Sequence, residues 1–335
     1  MHSRRKFLQH SAWLALASLA ACSGATASPI APPAPVSTVP PLPTSTDAAA
    51  TSAPIATRTA PPSVTQPYLA VARGSDPAQI TRAAVDALGG MTRFVKQGDD
   101  VIIKPNICVA YSAPEYAATT NPFVVGALVE MCMDAGARRV RVMDFPFGGT
   151  GKEAYQVSGI QAQVERAGGQ VEVMNSIKYV AYKFPATARD LKKWQVYQDI
   201  LNANVLINVP IAKDHSMARI TLGMKNLMGV IQNRNGIHAN LHQRIADLST
   251  LIKPTLNLVD GVRVLMENGP TGGSLDYVKQ ANTVIASHDI VAADAYAARA
   301  LFGFAPDDIG YIRIGQEMQL GRYDFDNLSV KEVQL

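Results

Sequence analysis

From about Pro67 onward, short apolar segments alternate with longer segments of helical periodicity, and this alternation constrains the fold more than any other feature. Strands separated by helical segments of about 10–15 residues predict βαβ units, because parallel neighbours need a crossover connection. The strands are expected at residues 68–73, 100–104, 139–144, 170–174, 205–209, 256–260, 283–286 and 327–333. The helices are expected at residues 77–88, 122–135, 152–167, 217–231, 238–252, 290–301 and 307–319. We therefore expect an α/β domain over residues 67–335, with a mostly parallel sheet flanked by helices and room for an inserted smaller lobe.

The segment 1–22 has the layout of an export signal. The twin-arginine pair Arg4-Arg5 precedes an uncharged, apolar run from Ser11 to Ala21. This run is shorter than the ~20 residues that a membrane-spanning helix needs. Cys22 follows small residues, as does the cysteine at which bacterial lipoproteins are cut and acylated. The sequence therefore predicts an extracytoplasmic protein, exported by the twin-arginine machinery and anchored to the membrane through lipid on Cys22.

Residues 23–66 differ in composition from the segments on either side. They are rich in proline, serine, threonine and alanine, contain no aromatic residue, and carry only Asp47 and Arg58 as charges. Such a segment cannot bury enough apolar surface to offset the entropy lost on ordering. We therefore expect residues 23–66 to be a disordered tether that holds the α/β domain away from the membrane.

Charge and cysteine usage exclude two classes of function. The formal charge is +4, and removal of the three basic residues of the signal leaves a value near +1 without a long basic run. Nucleic acid is therefore not an expected partner. Apart from Cys22, the cysteines are Cys108 and Cys132, which lie far apart and cannot supply the clustered thiolates of an iron–sulfur centre.

Polar residues follow several predicted strands at the point where each strand ends. They are Lys104 and Asn106, Asp144, the predicted turn Lys213-Asp214-His215, and Asp260. In open parallel sheets, ligands bind beyond the carboxyl ends of the strands, so these residues are candidates for one pocket. The alternative is that they are ordinary polar residues of loops, since strand-to-loop transitions are usually polar.

We assign candidate roles to these residues by their chemistry. Lys225 and Asn226 lie in a predicted helix that also contains Gly223 and Gly229. Lys213, His215 and Lys225 together indicate a cationic cradle for a small anionic ligand, in which His215 acts as a general acid–base or as a metal ligand. The candidate catalytic residues are His215, Lys213, Lys225 and Asp260. The candidate ligand-binding residues are Lys104, Asn106, Asp144, Asn226 and, in the glycine-rich loop 267–273, Gly269.

A second hypothesis concerns a divalent metal ion. His238 and His242 are four residues apart, which places both imidazoles on one face of a helix, and Asp247 follows slightly more than a turn later. These three residues are the candidate metal ligands. The zinc-protease pattern is absent because Ala239 occupies the position of its glutamate. The alternative is a pair of surface or hydrogen-bonded histidines.

Taken in order along the chain, these landmarks resemble the family known as domain of unknown function 362, from about residue 68 onward. The segments that carry the resemblance are Lys104-Pro105-Asn106, Thr120-Asn121-Pro122, 134–144, Leu206–Val209, Lys213, His215, Gly223–Gly229, 241–248, Val259-Asp260-Gly261, 269–273 and 289–294. The resemblance implies an α/β domain without an agreed reaction, joined in some members to ferredoxin-type iron–sulfur modules. The arrangement of His215 and Lys225 also resembles the nickel-pincer lactate racemase family, which implies a metal or anionic cofactor site.

Three functions remain compatible with the sequence. The first is an extracytoplasmic enzyme that acts on a small anionic molecule, with or without a metal cofactor. The second is a non-catalytic lipoprotein that captures a ligand or metal for a membrane partner. The third is an accessory subunit of a redox complex, which the iron–sulfur modules of the resembling family suggest.

Overall fold

A computed structural model of the chain describes residues 66–335. The predicted export signal, Cys22 and almost all of the predicted tether lie outside the described residues. The strands are β1 Leu69–Arg73, β2 Asp100–Lys104, β3 Arg139–Val142, β4 Gln170–Val171, β5 Tyr179–Lys183, β6 Lys193–Tyr197, β7 Val205–Asn208, β8 Ile211–His215, β9 Arg219–Thr221, β10 Leu256–Leu265, β11 Val278–Ser287 and β12 Val330–Gln334. The α-helices are α1 Pro77–Ala87, α2 Pro122–Asp134, α3 Gly151–Val157, α4 Ile160–Arg166, α5 Gln198–Asn202, α6 Gly223–Asn226, α7 Arg234–Ile237, α8 Leu241–Leu251, α9 Ile290–Ala297 and α10 Gly310–Glu317.

The main sheet is mostly parallel, as predicted. Its strand order is β12-β1-β11-β10-β7-β2-β3-β4, with β8 paired to β10 and β9 paired to β8. The strands β10, β7, β2, β3 and β4 all run parallel, whereas β11 is antiparallel to both of its neighbours. After β2 the chain continues to β3 and β4 on one side, and it later returns to β7 on the other side of β2. Such a reversal opens a crevice beyond the carboxyl ends of the strands.

A break at Pro210 lets two successive strands pair with the same partner. The long strand β10 pairs first with β7, through Asn257 and Asn208, and then with β8, through Asp260 and Ile211. Proline has no backbone N–H to donate, and its carbonyl accepts a hydrogen bond from the N–H of Asp260 at 2.8 Å. Because β2 pairs with β7 only as far as Asn208, β8 extends past the point where β2 ends.

Helices cover both faces of the sheet. Alternate residues of β2 enter two separate hydrophobic clusters: Ile102 packs with α8, α9 and α10, while Val101 and Ile103 pack with α1, α2 and α4. Burial on both faces explains why the central strands are apolar throughout rather than alternating in polarity.

The predicted starts of two helices are confirmed. The carboxylate of Asp76 accepts hydrogen bonds from the N–H groups of Ala78 and Gln79 at the start of α1. Asn121 caps α2 in the same way, through the N–H of Phe123. Both helices continue with proline at the first turn, where a missing N–H costs no intrahelical bond.

Three predicted elements were wrong in detail. The helix over 152–167 is interrupted at Gly159, whose φ of 71° is left-handed. Lys213, Asp214 and His215 lie in strand β8 rather than in a turn, because this segment pairs with β9. The helix over 217–231 begins as strand β9 and continues as the short α6 and a 3₁₀ turn.

The insertion between β4 and β7 contains a hairpin that the sequence did not predict. β5 and β6 form a separate two-stranded antiparallel sheet. Buried residues of this segment, including Phe184 and Val196, belong to the same hydrophobic cluster as α8–α10. The hairpin therefore packs on the main core and does not form a lobe of its own.

Within residues 66–335, no helix has both the length and the apolar character that crossing a bilayer requires.

A buried carboxylate fixes the start of α6. The N–H groups of Gly223 and Met224 donate to Asp294 of α9 at 2.6 Å and 2.8 Å. A Cβ atom at position 223 would lie 2.7 Å from an oxygen of Asp294, so glycine permits this close approach. Burial raises the pKa of Asp294 to about 7.

Asp294→Asn should lower the free energy of unfolding most at low pH. The amide nitrogen cannot accept one of the two hydrogen bonds, so a loss of about 1–3 kcal/mol is expected at pH 5. The pKa of Asp294 is raised in the folded state from its ordinary 3.8. Its favourable contribution is therefore complete below pH 3.8 and is lost as the pH rises through about 7.

Urea denaturation at pH 5 and pH 8 measures this dependence. The stability difference between wild type and Asp294→Asn should narrow between the two pH values. Asp326→Asn, which changes an exposed carboxylate, is the control and should show no such trend. If the stability difference between wild type and Asp294→Asn were the same at both pH values, the raised pKa of Asp294 in the folded state would be contradicted.

Candidate functional site

A cavity of about 300 Å³ lies beyond the carboxyl ends of β2, β3 and β7. It is lined by residues from five separate segments of the chain. They are Asn106, Cys108, Asp144, Phe145, Phe147, Lys213, His215, Ser216, Met217, Thr221, Lys225, Asn226, Met228, Gly229, Arg234, Asn235, His238 and Pro270. The structure therefore brings together most of the polar residues that the sequence selected.

The hairpin of β8 and β9 presents one polar face to this cavity. Lys213 and His215 are two residues apart on β8, so their side chains lie on the same side of the strand. Thr221 of β9 is directly opposite Lys213 in the pairing register. Its buried hydroxyl has no hydrogen-bond partner among the described residues.

The ammonium group of Lys213 is held entirely by neutral acceptors. Its Nζ donates to the side-chain oxygen of Asn106 at 3.1 Å, to the carbonyl of Ala118 at 2.8 Å and to the carbonyl of Pro270 at 3.1 Å. These three bonds use all of its donors. The positive charge therefore enters the cavity wall without a carboxylate partner in the described part of the chain.

The hydrogen bonds of His215 fix its imidazole ring in the neutral form. Its Nδ1 accepts hydrogen bonds from the N–H groups of Met217 at 3.1 Å and Ala218 at 3.3 Å. Nδ1 must then be the unprotonated nitrogen, and the proton of the neutral ring is assigned to Nε2. Burial, followed by the charges of Lys225 and Lys213, lowers the pKa of His215 to about 3.

This arrangement corrects the predicted role of His215. A nitrogen that carries its proton cannot bind a metal ion or accept a proton, and the other nitrogen faces two N–H groups. The ring instead offers a fixed N–H donor at Nε2, which has no partner among the described residues. This geometry suits hydrogen bonding to a ligand oxygen rather than general acid–base catalysis.

Lys225 of α6 is the least constrained cation of the cavity. Within the described residues, its amine neither donates a hydrogen bond nor pairs with a carboxylate. Burial, followed by the charge of Lys213, lowers the pKa of Lys225 to about 7. Arg234 lowers the pKa further, and Cys108 acts in the opposite direction. A substantial fraction of Lys225 is therefore an uncharged amine at neutral pH.

A row of side-chain amides, of which Asn226, Asn208 and Asn257 are buried, joins the strands beneath the cavity. Asn106 receives the hydrogen bond of Lys213 and donates to Asn226 at 3.0 Å. Asn226 donates to Asn208 at 2.9 Å, and Asn208 donates to Asn257 at 3.2 Å. The row thus connects β8, the segment after β2, α6, β7 and β10.

A buried ion pair closes the floor of the cavity. The Nζ atom of Lys104 lies 2.7 Å from an oxygen of Asp144, and both side chains are almost fully buried. The other oxygen of Asp144 accepts the N–H of Ile107 at 3.0 Å. Burial lowers the pKa of Lys104, and the adjacent Asp144 partly offsets this effect.

Asp260 and Gly269 occupy structural positions instead of the predicted ones. The carboxylate of Asp260 accepts hydrogen bonds from the N–H groups of Asn121 at 2.7 Å and Val262 at 3.0 Å, and it does not line the cavity. Burial raises its pKa to about 6. Gly269 packs on Asp214, so that a Cβ atom there would lie 1.7 Å from a carbonyl oxygen. Its neighbour Pro270 supplies the cavity contact.

The predicted metal ligands do not form one site. His238 lies in a 3₁₀ turn and lines the cavity, whereas the ring of His242 in α8 stacks on Tyr311. Asp247 is buried and accepts the N–H groups of residues 189, 190 and 191. Over residues 66–335, no three His, Cys, Asp or Glu side chains are grouped to hold a metal ion.

Several cavity residues were missed by the sequence analysis. Thr221 and Arg234 carry no distinguishing pattern in the sequence, and a lone Cys108 gives no signal for a site. Asn208 and Asn257, in contrast, left a signal, since each places an amide within a mostly apolar strand. Such an amide needs partners inside the protein.

The fold and this cavity define an α/β protein with a polar, cation-lined pocket at the carboxyl edge of a mostly parallel sheet. The chain belongs to the family described as Domain of unknown function (DUF362), which it matches over residues 101–299.

A thylakoid-associated protein of Synechocystis sp. is 25% identical over 222 residues, which cover 64% of this chain and 66% of the relative. The chain thus spans just under two thirds of that relative's length. Alignment with the solved lactate racemase apoprotein from Thermoanaerobacterium thermosaccharolyticum gives a TM-score of 0.42 with 14% identity, over 67% of this chain and 57% of that chain.

Gly229→Ala should disrupt the ion pair at the cavity floor. The new Cβ atom would lie 1.9 Å from an oxygen of Asp144 and 2.8 Å from Nζ of Lys104. Breaking a buried ion pair costs about 3–5 kcal/mol, and we expect a loss of this size in the free energy of unfolding.

Chemical denaturation at pH 7 measures the loss. Gly148→Ala is the matched control, because its Cβ atom meets nothing closer than 3.5 Å. If the two variants were equally stable, the packing of Gly229 against Lys104 and Asp144 would not be important for folding.

Proposed function

We propose that this protein is an enzyme that binds a small anionic molecule in the cavity beside Lys213, Lys225 and His215. The observation that carries the proposal is the excess of positive charge in the cavity wall. Lys213, Lys225 and Arg234 line the cavity, and the only carboxylate among its described lining residues is Asp144. That carboxylate is already paired with Lys104.

Uncompensated buried charge is costly, and it favours a ligand of opposite sign. Removing an ammonium group from water without a counter-ion costs several kcal/mol, which a bound anion can offset. If stability were the only requirement, we would expect a carboxylate beside Lys213 and Lys225. Instead, Lys213 donates hydrogen bonds to three neutral acceptors, and the amine of Lys225 has no hydrogen-bond acceptor among the described residues.

Three further groups support an organic rather than a monatomic anion. Nε2 of His215 and the hydroxyl of Thr221 are without partners among the described residues and line the same cavity. Phe145, Phe147 and Met217 add an apolar wall. A volume of about 300 Å³ is at the lower end of the range for small-molecule sites. These features suit a small carboxylate with additional oxygen atoms and an apolar part.

Lys225→Met should weaken binding of propanoate, used as a simple carboxylate probe, by about 10–100-fold at pH 6, which corresponds to one charge-assisted hydrogen bond. In the wild type, affinity should fall as the pH rises from 6 to 8, because Lys225 loses its proton around pH 7. The variant should lose this pH dependence as well.

Isothermal titration calorimetry of wild type, Lys225→Met and the exposed control Lys183→Met measures these affinities. The control should bind as the wild type does. The proposal fails if the wild type binds neither propanoate nor any larger carboxylate, or if Lys225→Met binds them equally well.

We also propose that the protein is exported by the twin-arginine route and anchored to the membrane through lipid on Cys22. Arg4-Arg5, the short apolar run and the small residues before Cys22 support this proposal.

Cys22→Ala should abolish incorporation of radiolabelled palmitate in a bacterial host that has both pathways, since this substitution removes the acylated thiol. Replacing Arg4 and Arg5 by lysine should retain the protein in the cytoplasm. Ser23→Ala is the control for the cleavage region and should be labelled as the wild type is. An unlabelled wild type, or one that fractionates with the cytoplasm, would exclude the anchor.

A further inference from the structure

We propose that Lys225 is a nucleophile that forms an imine with the carbonyl carbon of a small oxo acid held in the cavity. This inference rests on the proposed function, because it needs an anion-binding cavity, and it adds the substrate class and a covalent step. Lys225, His215 and Lys213 would then have three different tasks at one substrate.

The first argument is that Lys225 has no structural task. Most buried lysines pair with carboxylates or carbonyl groups, as Lys104 and Lys213 do here. Lys225 lines the same cavity, and no described residue accepts a hydrogen bond from its amine. An amine without a protein partner is available to react with a ligand.

The second argument is that its surroundings keep the amine nucleophilic. An amine reacts only in its neutral form, and desolvation beside another cation is one way in which proteins obtain that form. Lys213 supplies the cation, and Asp144, the lining carboxylate, is bound to Lys104 and does not stabilise the ammonium form of Lys225. The pKa of Lys225, lowered to about 7, agrees with this geometry.

The third argument concerns the oxygen atoms of the substrate. A 2-oxo acid has a carboxylate, which Lys213 and Arg234 would attract, and an adjacent carbonyl oxygen. His215 offers an N–H donor at Nε2 that keeps its proton at all neutral pH values, because its Nδ1 is fixed by two backbone N–H groups. A neutral imidazole donor polarises a carbonyl without protonating the attacking amine.

The reaction balances without an oxidant or reductant. The amine nitrogen of Lys225 forms a bond to the carbonyl carbon while the π electrons of the carbonyl move to oxygen. Proton transfer gives a neutral carbinolamine. The carbon–oxygen bond then breaks, and both amine protons leave with that oxygen as water, which yields the imine.

Borohydride trapping tests the proposal with the whole folded chain. Pyruvate is the probe, and propanoate is the matched acid that lacks the carbonyl. Treatment with pyruvate and sodium borohydride should add one reduced pyruvate unit to the protein, and peptide mapping should place it on Lys225. Excess propanoate should suppress the adduct by competing for the cavity.

Two variants and a measurement of propanoate binding distinguish failure of the imine proposal from failure of the anion site. Lys225→Arg should give no adduct, whereas Lys183→Met should be labelled as the wild type is. Mapping of the wild-type adduct does not depend on the folding of any variant. If propanoate binds but pyruvate gives no adduct, or labels a different lysine, the imine is excluded and the anion site remains. If propanoate does not bind either, both proposals are wrong.

Discussion

The hydrogen bonds between asparagine side chains, three of them buried, hold the site together. Asn106, Asn226, Asn208 and Asn257 come from four different elements and meet beneath the cavity. A buried amide that loses its partner costs about 1–3 kcal/mol, so each member constrains the position of the next. The carboxyl ends of β2 and β7, the amino end of β10 and the end of α6 are thereby fixed relative to one another, and the cavity residues on these elements are held in place with them.

The charges in the cavity are arranged at the expense of stability. Lys104 and Asp144 neutralise each other at the floor, which leaves Lys213 and Lys225 in the wall with no carboxylate of their own among the described residues. Three hydrogen-bond acceptors fix the ammonium group of Lys213, whereas no described residue accepts a hydrogen bond from the amine of Lys225. Lys213 thus provides a positive charge at a fixed position, and Lys225 provides an amine that can contact a ligand. This division is the basis on which we propose an enzyme and not a simple ligand carrier.

Much of this architecture could be predicted from the sequence. The alternation of strands and helices predicted the parallel sheet. The polar residues at strand ends led to Asn106, Asp144, Lys213 and His215, and the predicted helical segment with two glycines led to Lys225 and Asn226; all six line one cavity. The prediction was wrong where long-range pairing decided the structure. Lys213 and His215 follow a proline and resemble a turn, yet the second half of β10 supplies a partner for a strand. Asp260 ends an apparent strand, but its carboxylate is used by the backbone of Asn121, a contact that sequence spacing does not encode.

One consequence follows from the chemistry of Lys213. An asparagine amide can point either way, but an ammonium group can only donate. Asn106 must therefore turn its oxygen toward Lys213, which forces its nitrogen toward Asn226, and the same choice repeats as far as Asn257. A single cation thus sets the polarity of the whole row, and no amide in it can flip alone. The row ends at Asn257, which lines a second, smaller cavity and whose side-chain nitrogen has no hydrogen-bond partner among the described residues.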